Sequence, residues 1–321
     1  MVSQKPVLVI VIPCFNEGEV LPITAQSLSE KISFLVSKQL VSAKSGLLFV
    51  DDGSGDNTWT LIEKFHRENP LVFGGIKLSA NRGHQNALLC GMLAVKDHAD
   101  AVITMDADLQ DDIDSIDQML ESFLAGSEIV CGVRSDRKSD GFLKRTSARA
   151  FYRFMVFLGA GTIYNHADFR LIGKKALQAL AEYNEANLFL RGIVPQLGYK
   201  TGIVYYERKK RFAGISKYHL RKMLKLALDG ITSFSVKPLR CITLLGILLL
   251  AAALIMAAYF IFRKISGYPP YPLAVLICSL WGIGGLIVSS IGIMGEYTGK
   301  IYMEIKRRPR YHVEQFLFRQ E

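Results

Sequence analysis

Short apolar runs, each followed by a cluster of polar residues, alternate with helical patterns through the first half of this chain. The runs are rich in Val, Ile and Leu and cover residues 7–12, 47–50, 72–78, 101–104 and 128–133. Strands of this kind are typical of a parallel sheet that helices cover on both faces. The repeated strand–helix order therefore predicts an α/β fold with a doubly wound, mostly parallel sheet and right-handed crossovers. Such sheets bind their ligands along the carboxyl ends of the strands.

The polar clusters that follow these runs contain several carboxylates. Asp51 and Asp52 follow the second run, and Asp106 and Asp108 follow the fourth. Two carboxylates one residue apart at a strand end can bind the same divalent cation, such as Mg²⁺ or Mn²⁺. An isolated Asp-x-Asp loop is more often a helix cap than a metal site. The other polar clusters expected at the same edge of the sheet favour the metal site here.

Basic side chains accompany the acidic ones. Further charged residues near the predicted site are Glu17, Asp168, Arg134, Arg170, Arg208 and Arg211. Carboxylates that chelate a metal, together with arginines that bind phosphates, suit a nucleotide diphosphate substrate. The sequence has no P-loop and no Gly-x-Gly-x-x-Gly motif after the first run, which argues against ATP hydrolysis and dinucleotide redox chemistry. Since no Ser or Cys has an evident base partner, we expect catalysis by positioning and electrostatics.

The C-terminal third has a different composition. No residue is charged in 241–262 or in 265–295. Each run reaches the roughly 20 residues that a membrane helix requires. Many Lys and Arg residues lie before the first run and after the second, whereas few lie between them. The positive-inside rule therefore predicts two spans of the inner membrane with both chain ends in the cytoplasm. We therefore expect a cytosolic catalytic domain (1–215), juxtamembrane amphipathic helices (216–240), two transmembrane helices (241–295) and a cytosolic tail (296–321).

The net charge of +10 indicates an anionic partner. The basic residues cluster around the predicted membrane entry, which favours lipid headgroups and phosphorylated substrates over nucleic acid. The five cysteines lie far apart, with no Cys-x-x-Cys pair. This spacing predicts reduced cysteines in a cytosolic compartment.

Four motifs follow successive predicted strands. They are Pro13-x-x-Asn16-Glu17, Val50-Asp51-Asp52-Gly53-Ser54-x-Asp56-x-Thr58, Asn81-x-Gly83 and Asp106-Ala107-Asp108-Leu109-Gln110-Asp111. This ordered set resembles family 2 glycosyltransferases of the GT-A fold. Three later features are Asp168-Phe169-Arg170-Leu171, Gly214-x-Ser216-Lys217-Tyr218, and Pro238-Leu239-Arg240 before a membrane pair that ends at Gly295-Glu296-Tyr297. They narrow the resemblance to bacterial polyprenyl-phosphate glycosyltransferases, which are relatives of dolichol-phosphate mannose synthase and include bactoprenol glucosyltransferases.

The resemblance implies a donor site for a UDP-sugar. Asp51 and Asp52 would hold the uridine, in a pocket formed with Pro13, Asn16 and Glu17. The DXD pair Asp106 and Asp108 would bind Mg²⁺ or Mn²⁺ on the diphosphate, with Gln110 beside the sugar. Arg134 would contact the donor phosphates.

The resemblance also implies a polyprenyl phosphate acceptor, undecaprenyl phosphate. Arg170, Arg208, Arg211 and Lys217 would bind its phosphate, and Asp168 would lie near the reacting centre. A lipid phosphate is largely ionised at neutral pH and needs no strong general base. Asp168 as a base and Asp168 as an orienting group therefore both stay open. We expect inversion at the anomeric carbon, and we expect His84 to be a hydrogen-bonding loop residue.

The identity of the sugar and the wider context are expectations of the same resemblance. Glucose is favoured, with N-acetylglucosamine second, and the product would supply cell-envelope glycosylation through a flippase and a lipid-sugar-dependent glycosyltransferase. A homo-oligomer is also expected. One alternative is a processive polysaccharide synthase, although neither Trp59 nor Trp281 forms its Gln-x-x-Arg-Trp motif. Another is a non-catalytic membrane scaffold or lipid carrier.

Overall fold

The computed structural model describes residues 5–135, 166–183, 185, 190–207 and 273–318, with isolated positions between 239 and 267. The elements, in chain order, are β1 (Leu8–Cys14), α1 (Leu21–Ser37), β2 (Gly46–Asp51), α2 (Thr58–Glu68), β3 (Phe73–Leu78), α3 (His84–Ala94), β4 (Ala101–Thr104), α4 (Ser115–Leu124), β5 (Ile129–Arg134), β6 (His166–Gly173), α5 (Lys174–Ala181), α6 (Leu190–Gln196), β7 (Thr201–Tyr206), α7 (Leu273–Lys306) and β8 (Val313–Leu317).

The strands form one mixed sheet in the order β7-β5-β6-β4-β1-β2-β3-β8. β1 pairs in parallel with β2 and β4, β2 pairs in parallel with β3, and β5 with β7. β6 is antiparallel to both β4 and β5, and β8 is antiparallel to β3 at the edge of the sheet. The other six strands therefore point the same way. Their carboxyl ends meet along one side, which we call the carboxyl edge.

Helices cover both faces of the sheet, as the sequence predicts for a doubly wound fold. Every residue of β1 is buried. Because side chains alternate along a strand, Ile10 belongs to the core cluster that contains residues of α1, α2 and α4, whereas Val11 belongs to the cluster that contains residues of α3, α5 and α6. An uninterrupted apolar run is the sequence pattern that such two-sided burial requires.

The five apolar runs coincide with β1 to β5 within two residues at each end. The sequence also predicts a strand over 202–206, which is β7 (Thr201–Tyr206). The other two strands, β6 and β8, were not predicted. β6 contains Asp168 and Arg170 inside the sheet, and these charges interrupt the apolar pattern that marks a buried strand. β8 is a short, largely exposed edge strand that lies in the predicted tail. Residues 313–317 therefore complete the sheet rather than stand apart from it.

Several sequence predictions for the second half of the chain concern residues that are not described or helices that the described residues do not support. Arg208, Arg211 and Lys217 lie outside the described residues, as do the juxtamembrane segment up to residue 238 and most of 241–262. Helix α7 occupies much of the second uncharged run and continues to Lys306. None of the helices in the described part of the chain combines the length and the apolar character needed to cross a membrane. The two predicted spans are thus without support from these residues.

Candidate active site

The loops that follow β1 and β2 contact each other at the carboxyl edge and form one wall of the candidate site. The backbone N–H of Asn16 donates to Ser54 Oγ at 2.9 Å, and Asn16 Oδ1 accepts from the N–H of Gly55 at 2.8 Å. Asn16 has a φ of 53°, a left-handed conformation that Asn adopts more readily than most residues. The N–H of Glu17 donates to Thr58 Oγ1 at 3.0 Å. These hydrogen bonds hold the first two polar motifs in contact with each other.

Asp51 and Asp52 lie buried at the base of this wall. Asp51 Oδ1 accepts from the N–H of Ser54 at 3.1 Å, while its Oδ2 is buried and has no hydrogen-bond partner among the described residues. Both oxygens of Asp52 are used, at 2.7 Å by the N–H of Arg82 and at 2.9 Å by that of Gly83. Burial raises the pKa of both carboxyl groups, although these hydrogen bonds oppose it. Asp52 thus fixes the loop after β3, and Asp51 offers an acceptor to a ligand.

Gly53 is required where the loops after β2 and β3 meet. Its φ is 68°, and a Cβ added there would lie 2.7 Å from the carbonyl carbon of Ala80 and from the amide nitrogen of Asn81. Any side chain would separate the two loops. The Asp-Asp-Gly-Ser sequence therefore serves close packing as well as ligand binding. Pro13 lies at the same level of the sheet, opposite Val50 in the β1–β2 register.

The loop after β4 carries Asp106 and Asp108 and is held in place by a contact with α1. The hydroxyl of Thr24 lies 2.6 Å from the carbonyl oxygen of Ala107, with no exposed surface. Leu109 has a φ of 51°, which costs a branched residue about 1–2 kcal/mol. The N–H of Gln110 then donates to Asp108 Oδ1 at 3.2 Å. This strained turn holds the Asp108 carboxylate and buries Gln110.

Asp106 lies among several other acidic side chains. Among the described residues its Oδ1 has no hydrogen-bond partner, although His84 Nε2 lies 3.5 Å away. Burial raises the pKa of Asp106, the His84 ring lowers it, and the carboxylates of Asp168, Asp111 and Asp108 raise it further. A cation bound at this position would stabilise the ionised carboxylate.

Asp106 and Asp108 are the residues that best fit a divalent cation. In the described part of the chain, no group of three or more His, Cys, Asp or Glu side chains is arranged to hold a metal ion. Mg²⁺ is commonly bound by one or two carboxylates together with the phosphates of a substrate. The two aspartates therefore suit a cation that arrives with a diphosphate.

A cluster of charged side chains surrounds Asp168 on β6. Arg191, on α6, binds it with both edge nitrogens, Nε to Oδ1 at 3.1 Å and Nη2 to Oδ2 at 2.6 Å. Arg170 donates to Oδ1 from the other side. His84 Nε2 lies 3.4 Å from Asp168 Oδ2 and 3.5 Å from Asp106 Oδ1. His84 therefore bridges the Asp106 loop and the Asp168 cluster.

Opposing effects set the protonation of this cluster. Burial favours the neutral form of Asp168, but Arg191, His84 and Arg170 together hold its pKa well below the ordinary range. Burial likewise lowers the pKa of His84, but Asp168 and Asp106 overcome it and raise that pKa above the usual value. Asp168 is therefore a permanent anion near neutral pH, and its ability to accept a proton is small.

Arg170 lies behind Asp168 and is only 1% exposed. Its Nη1 donates to the carbonyl oxygen of Leu190 at 3.1 Å, so it ties β6 to the start of α6. The direct acceptor contact predicted for Arg170 stays a prediction, because its observed contacts are with the protein.

Arg134 belongs to a separate polar group at the end of β5. Its Nη2 lies 3.3 Å from Asp111 Oδ1, and its Nε donates to the hydroxyl of Tyr206 at 3.2 Å. That hydroxyl in turn donates to Asp111 Oδ1 at 2.5 Å. Burial raises the pKa of the Tyr206 hydroxyl. The donor contact predicted for Arg134 also stays a prediction, since Asp111 is the anion that it contacts in the structure.

Sequence reasoning missed the importance of two residues. His84 was expected to be a loop residue, whereas it is the first residue of α3 and contacts both Asp106 and Asp168. Arg191 was not singled out at all. Its signal is a lone charge in the apolar stretch 188–194, where an arginine needs a buried partner.

Comparison with known proteins identifies the class. The model of glycosyl transferase family 2 matches residues 9–181, which include β1 to β6 and the acidic residues at the carboxyl edge. The chain belongs to glycosyl transferase family 2.

More specific relatives match almost the whole chain. A glycosyltransferase of Bacillus subtilis (strain 168), YkoT, is 49% identical over 321 residues, covering 100% of this chain and 95% of the relative. The bactoprenol glucosyl transferase of Shigella phage SfII is 36% identical over 314 residues, covering 95% of this chain and 96% of its own length. A prophage bactoprenol glucosyl transferase homologue of Escherichia coli (strain K12) is 37% identical, with coverage of 95% and 97%. The predicted resemblance to this group is confirmed.

Solved structures are more distant. A glucosyl-3-phosphoglycerate synthase from Mycobacterium tuberculosis is 17% identical, with a TM-score of 0.46, and the match covers 71% of this chain and 78% of the synthase.

Proposed function

We propose that this chain transfers a hexose from a UDP-sugar to a polyprenyl phosphate, undecaprenyl phosphate, with inversion at the anomeric carbon. The observation that carries the proposal is the match to bactoprenol glucosyl transferases along 95% of the chain. The cluster of carboxylates at the carboxyl edge supports it, because each acidic motif has a distinct environment that suits one part of a nucleotide sugar. Glucose is the favoured sugar and N-acetylglucosamine the second candidate.

The uridine would bind in the cleft formed by the loops after β1 and β2. Asp51 Oδ2, buried and without a hydrogen-bond partner in the described structure, suits an N–H or O–H donor of the nucleoside. Leaving such an acceptor unpaired costs about 1–3 kcal/mol, so a ligand donor would recover that free energy. Asn16, Glu17 and Pro13 would shape the same cleft.

Asp106 and Asp108 would hold Mg²⁺ or Mn²⁺ together with the diphosphate of the donor. When bound, the cation stabilises the negative charge that develops on the departing UDP. Gln110 and Asp168 would lie beside the sugar. The N–H of Gln110 holds the Asp108 carboxylate, so part of the loop is already arranged for this charge.

The reaction we propose is a direct displacement. An oxygen of the acceptor phosphate forms a bond to the anomeric carbon while the bond from that carbon to the UDP oxygen breaks, and UDP leaves with the electron pair. No proton has to be removed, because the acceptor phosphate is already ionised. The low pKa of Asp168 agrees with this scheme, since a strong base would be unnecessary. Arg170, Arg208, Arg211 and Lys217 are the proposed acceptor residues, and Arg134 a proposed donor residue.

We further propose that the protein is attached to the inner membrane through residues 241–295, with its catalytic domain in the cytoplasm. The uncharged sequence and the many exposed apolar side chains of α7 support attachment. The remaining expectations, a homo-oligomer that works upstream of a flippase and a second glycosyltransferase, belong to the same proposal. If the full chain stays unbound to vesicles of anionic bacterial lipids during flotation, the membrane part of the proposal is wrong.

The direct test is a panel of UDP-sugars with undecaprenyl phosphate, with the lipid product measured by mass. We expect one sugar to be transferred and turnover to stop when the divalent cation is chelated. Asp108→Asn should lower turnover at least about 100-fold, the scale of losing one electrostatic contact in the transition state. Asp97→Asn, at an exposed aspartate outside the acidic motifs, is the matched control. Unchanged turnover in Asp108→Asn, or turnover without metal, would contradict the assignment.

A further inference from the structure

The start of helix α6 is held against the Asp168 cluster by two backbone contacts. The N–H of Leu190 donates to Gln85 Oε1 on α3 at 3.2 Å, and the carbonyl oxygen of Leu190 accepts from Arg170 at 3.1 Å. Leu190 itself is buried. The residue that follows it, Arg191, is therefore delivered to the cluster from a fixed backbone position.

Asp168 then fixes the side chain of Arg191. Nε and Nη2 of Arg191 bind one oxygen each of the carboxylate. This two-bond geometry defines both the position and the plane of the guanidinium group. Arg170 and His84 hold the same carboxylate from other directions. Asp168 is thus held by three basic side chains, and it can turn only if their contacts break.

Arg191 differs from Arg170 in its access to solvent. The Arg191 side chain is 31% exposed, whereas that of Arg170 is 1% exposed. The partly exposed guanidinium group can therefore be reached by an anion from the solvent side while it stays on Asp168.

The order of contacts indicates which anion this is. Contacts run from Asp106 to His84, from His84 to Asp168 and from Asp168 to Arg191. Under the proposed function, the leaving diphosphate lies at Asp106. Inversion by direct displacement requires the incoming group on the opposite face of the sugar. Arg191, at the other end of this series of contacts, is placed to receive that group.

We propose that Arg191 binds the acceptor phosphate and that Asp168 is a positioning residue, which orients Arg191 instead of removing a proton. The identity of the anion rests on the proposed function. The arrangement accounts for the strong pairing of Asp168, because an aspartate that works as a base has to be free to accept a proton. It also explains why a partly exposed arginine is anchored so firmly.

The test measures acceptor and donor binding separately on the full-length chain. Arg191→Gln should weaken the binding of undecaprenyl phosphate, and raise its KM, by about 10- to 100-fold, the loss expected for one charge-assisted contact. Binding of UDP with Mn²⁺ should change less than about twofold, because Arg191 is three contacts away from Asp106. Arg191→Lys keeps the charge but cannot make the two-bond contact. Its KM for undecaprenyl phosphate should therefore lie between those of the wild type and Arg191→Gln. Arg67→Gln, at an exposed arginine on α2, is the control and should match the wild type.

Asp168→Asn separates the positioning role from a base. We expect a higher KM for undecaprenyl phosphate and a pH profile of turnover with the same limbs as the wild type. A fall in kcat alone, with KM unchanged and the acidic limb of the pH profile lost, would show that Asp168 is a base and would overturn its positioning role. Equal losses of UDP and lipid binding in Arg191→Gln would overturn the acceptor site.

Inorganic phosphate distinguishes failure of this inference from failure of the proposed function. If the wild type binds inorganic phosphate through Arg191 but neither binds nor glycosylates undecaprenyl phosphate, the lipid acceptor is wrong and the anion site stands. If the wild type glycosylates the lipid and Arg191→Gln does so with unchanged KM, the function stands and the role of Arg191 is wrong.

Discussion

At the scale of single residues, the site is defined by which charges have protein partners. Asp52 uses both oxygens on backbone N–H groups, and Asp168 uses both on arginines. Asp51 and Asp106 each keep a buried oxygen without a hydrogen bond among the described residues. Buried polar atoms are rarely left unpaired in a folded protein. The aspartates therefore have different tasks: Asp52 and Asp168 hold loops and side chains in place, whereas Asp51 and Asp106 each keep an acceptor oxygen for a ligand.

The pairing of Asp168 predicts a specific dependence of stability on pH. Its pKa in the folded chain is lowered, so the pair contributes fully above the unfolded-state pKa of about 3.9. That contribution is lost as pH falls through the lower folded-state value. Asp168→Asn should therefore lower the free energy of unfolding by about 3 kcal/mol at pH 7, the scale of a buried ion pair that loses one partner. The deficit should shrink below about pH 4.

Chemical denaturation of the wild type and the variant between pH 3 and pH 7 measures this difference, with Asp97→Asn as the control. Asp97 is 67% exposed, so we expect its replacement to change stability by less than about 0.5 kcal/mol throughout. A deficit for Asp168→Asn that stays constant across the whole range would show that the ionisation of Asp168 does not stabilise the fold.

At the scale of elements, prediction from sequence succeeded where one local pattern decides the structure. β1 to β5 are uninterrupted apolar runs, and burial on both faces requires that pattern. β6 escaped prediction because Asp168 and Arg170 neutralise each other inside the sheet. The partner that completes this balance, Arg191, lies 23 residues away from Asp168. A pattern read over a short stretch of sequence cannot reveal a contact over this distance. The motifs therefore indicated the acidic loops but not the cluster around Asp168.

Helix α1 has a role in the site that its amphipathic pattern does not reveal. Thr24→Val removes the hydroxyl that contacts the carbonyl oxygen of Ala107 and leaves that oxygen unpaired in a buried place. We expect the free energy of unfolding to fall by about 1–3 kcal/mol, and Mn²⁺–UDP binding to weaken because the Asp106 loop loses its support. Thr24→Ser keeps the hydroxyl and is the matched variant. Calorimetric titration of Mn²⁺–UDP checks the effect, and equal affinities for the Thr24→Val and Thr24→Ser proteins would refute it.

At the scale of the whole molecule, the C-terminal segment joins parts of the fold that are far apart in sequence. Beyond α7, Arg310 donates to the carbonyl oxygens of Tyr183 and Glu185 at 2.7 and 2.9 Å. The carbonyl oxygen of His312 then accepts from the N–H of Ser79 at 3.0 Å, and β8 pairs with β3. These contacts reach the loop after β3 and the chain that leaves α5. The segment therefore supports both connections that lead to the Asp52 and Arg191 contacts.

Removing residues 312–321 should destabilise the protein by more than about 2 kcal/mol, because several strand hydrogen bonds of about 1 kcal/mol each are lost. The exposed edge of β3 should also promote aggregation. Thermal unfolding followed together with light scattering measures both effects. Glu314→Gln breaks only the partly exposed ion pair with Lys77, and we expect a loss below about 1 kcal/mol. A shortened chain as stable and as soluble as the wild type would show that β8 is dispensable.

The position of β8 at the edge of the sheet has a consequence for the order of events during synthesis. β3 is made early, yet the strand that covers it begins at Val313, beyond the whole of α7. Domains form progressively as the chain emerges from the ribosome, so one side of β3 stays open until residues 313–317 have been made. A chain whose synthesis stops within α7 has a sheet that lacks β8, its outer strand. The sheet is therefore complete only in chains that already contain α7, and shorter chains expose the unpaired edge of β3.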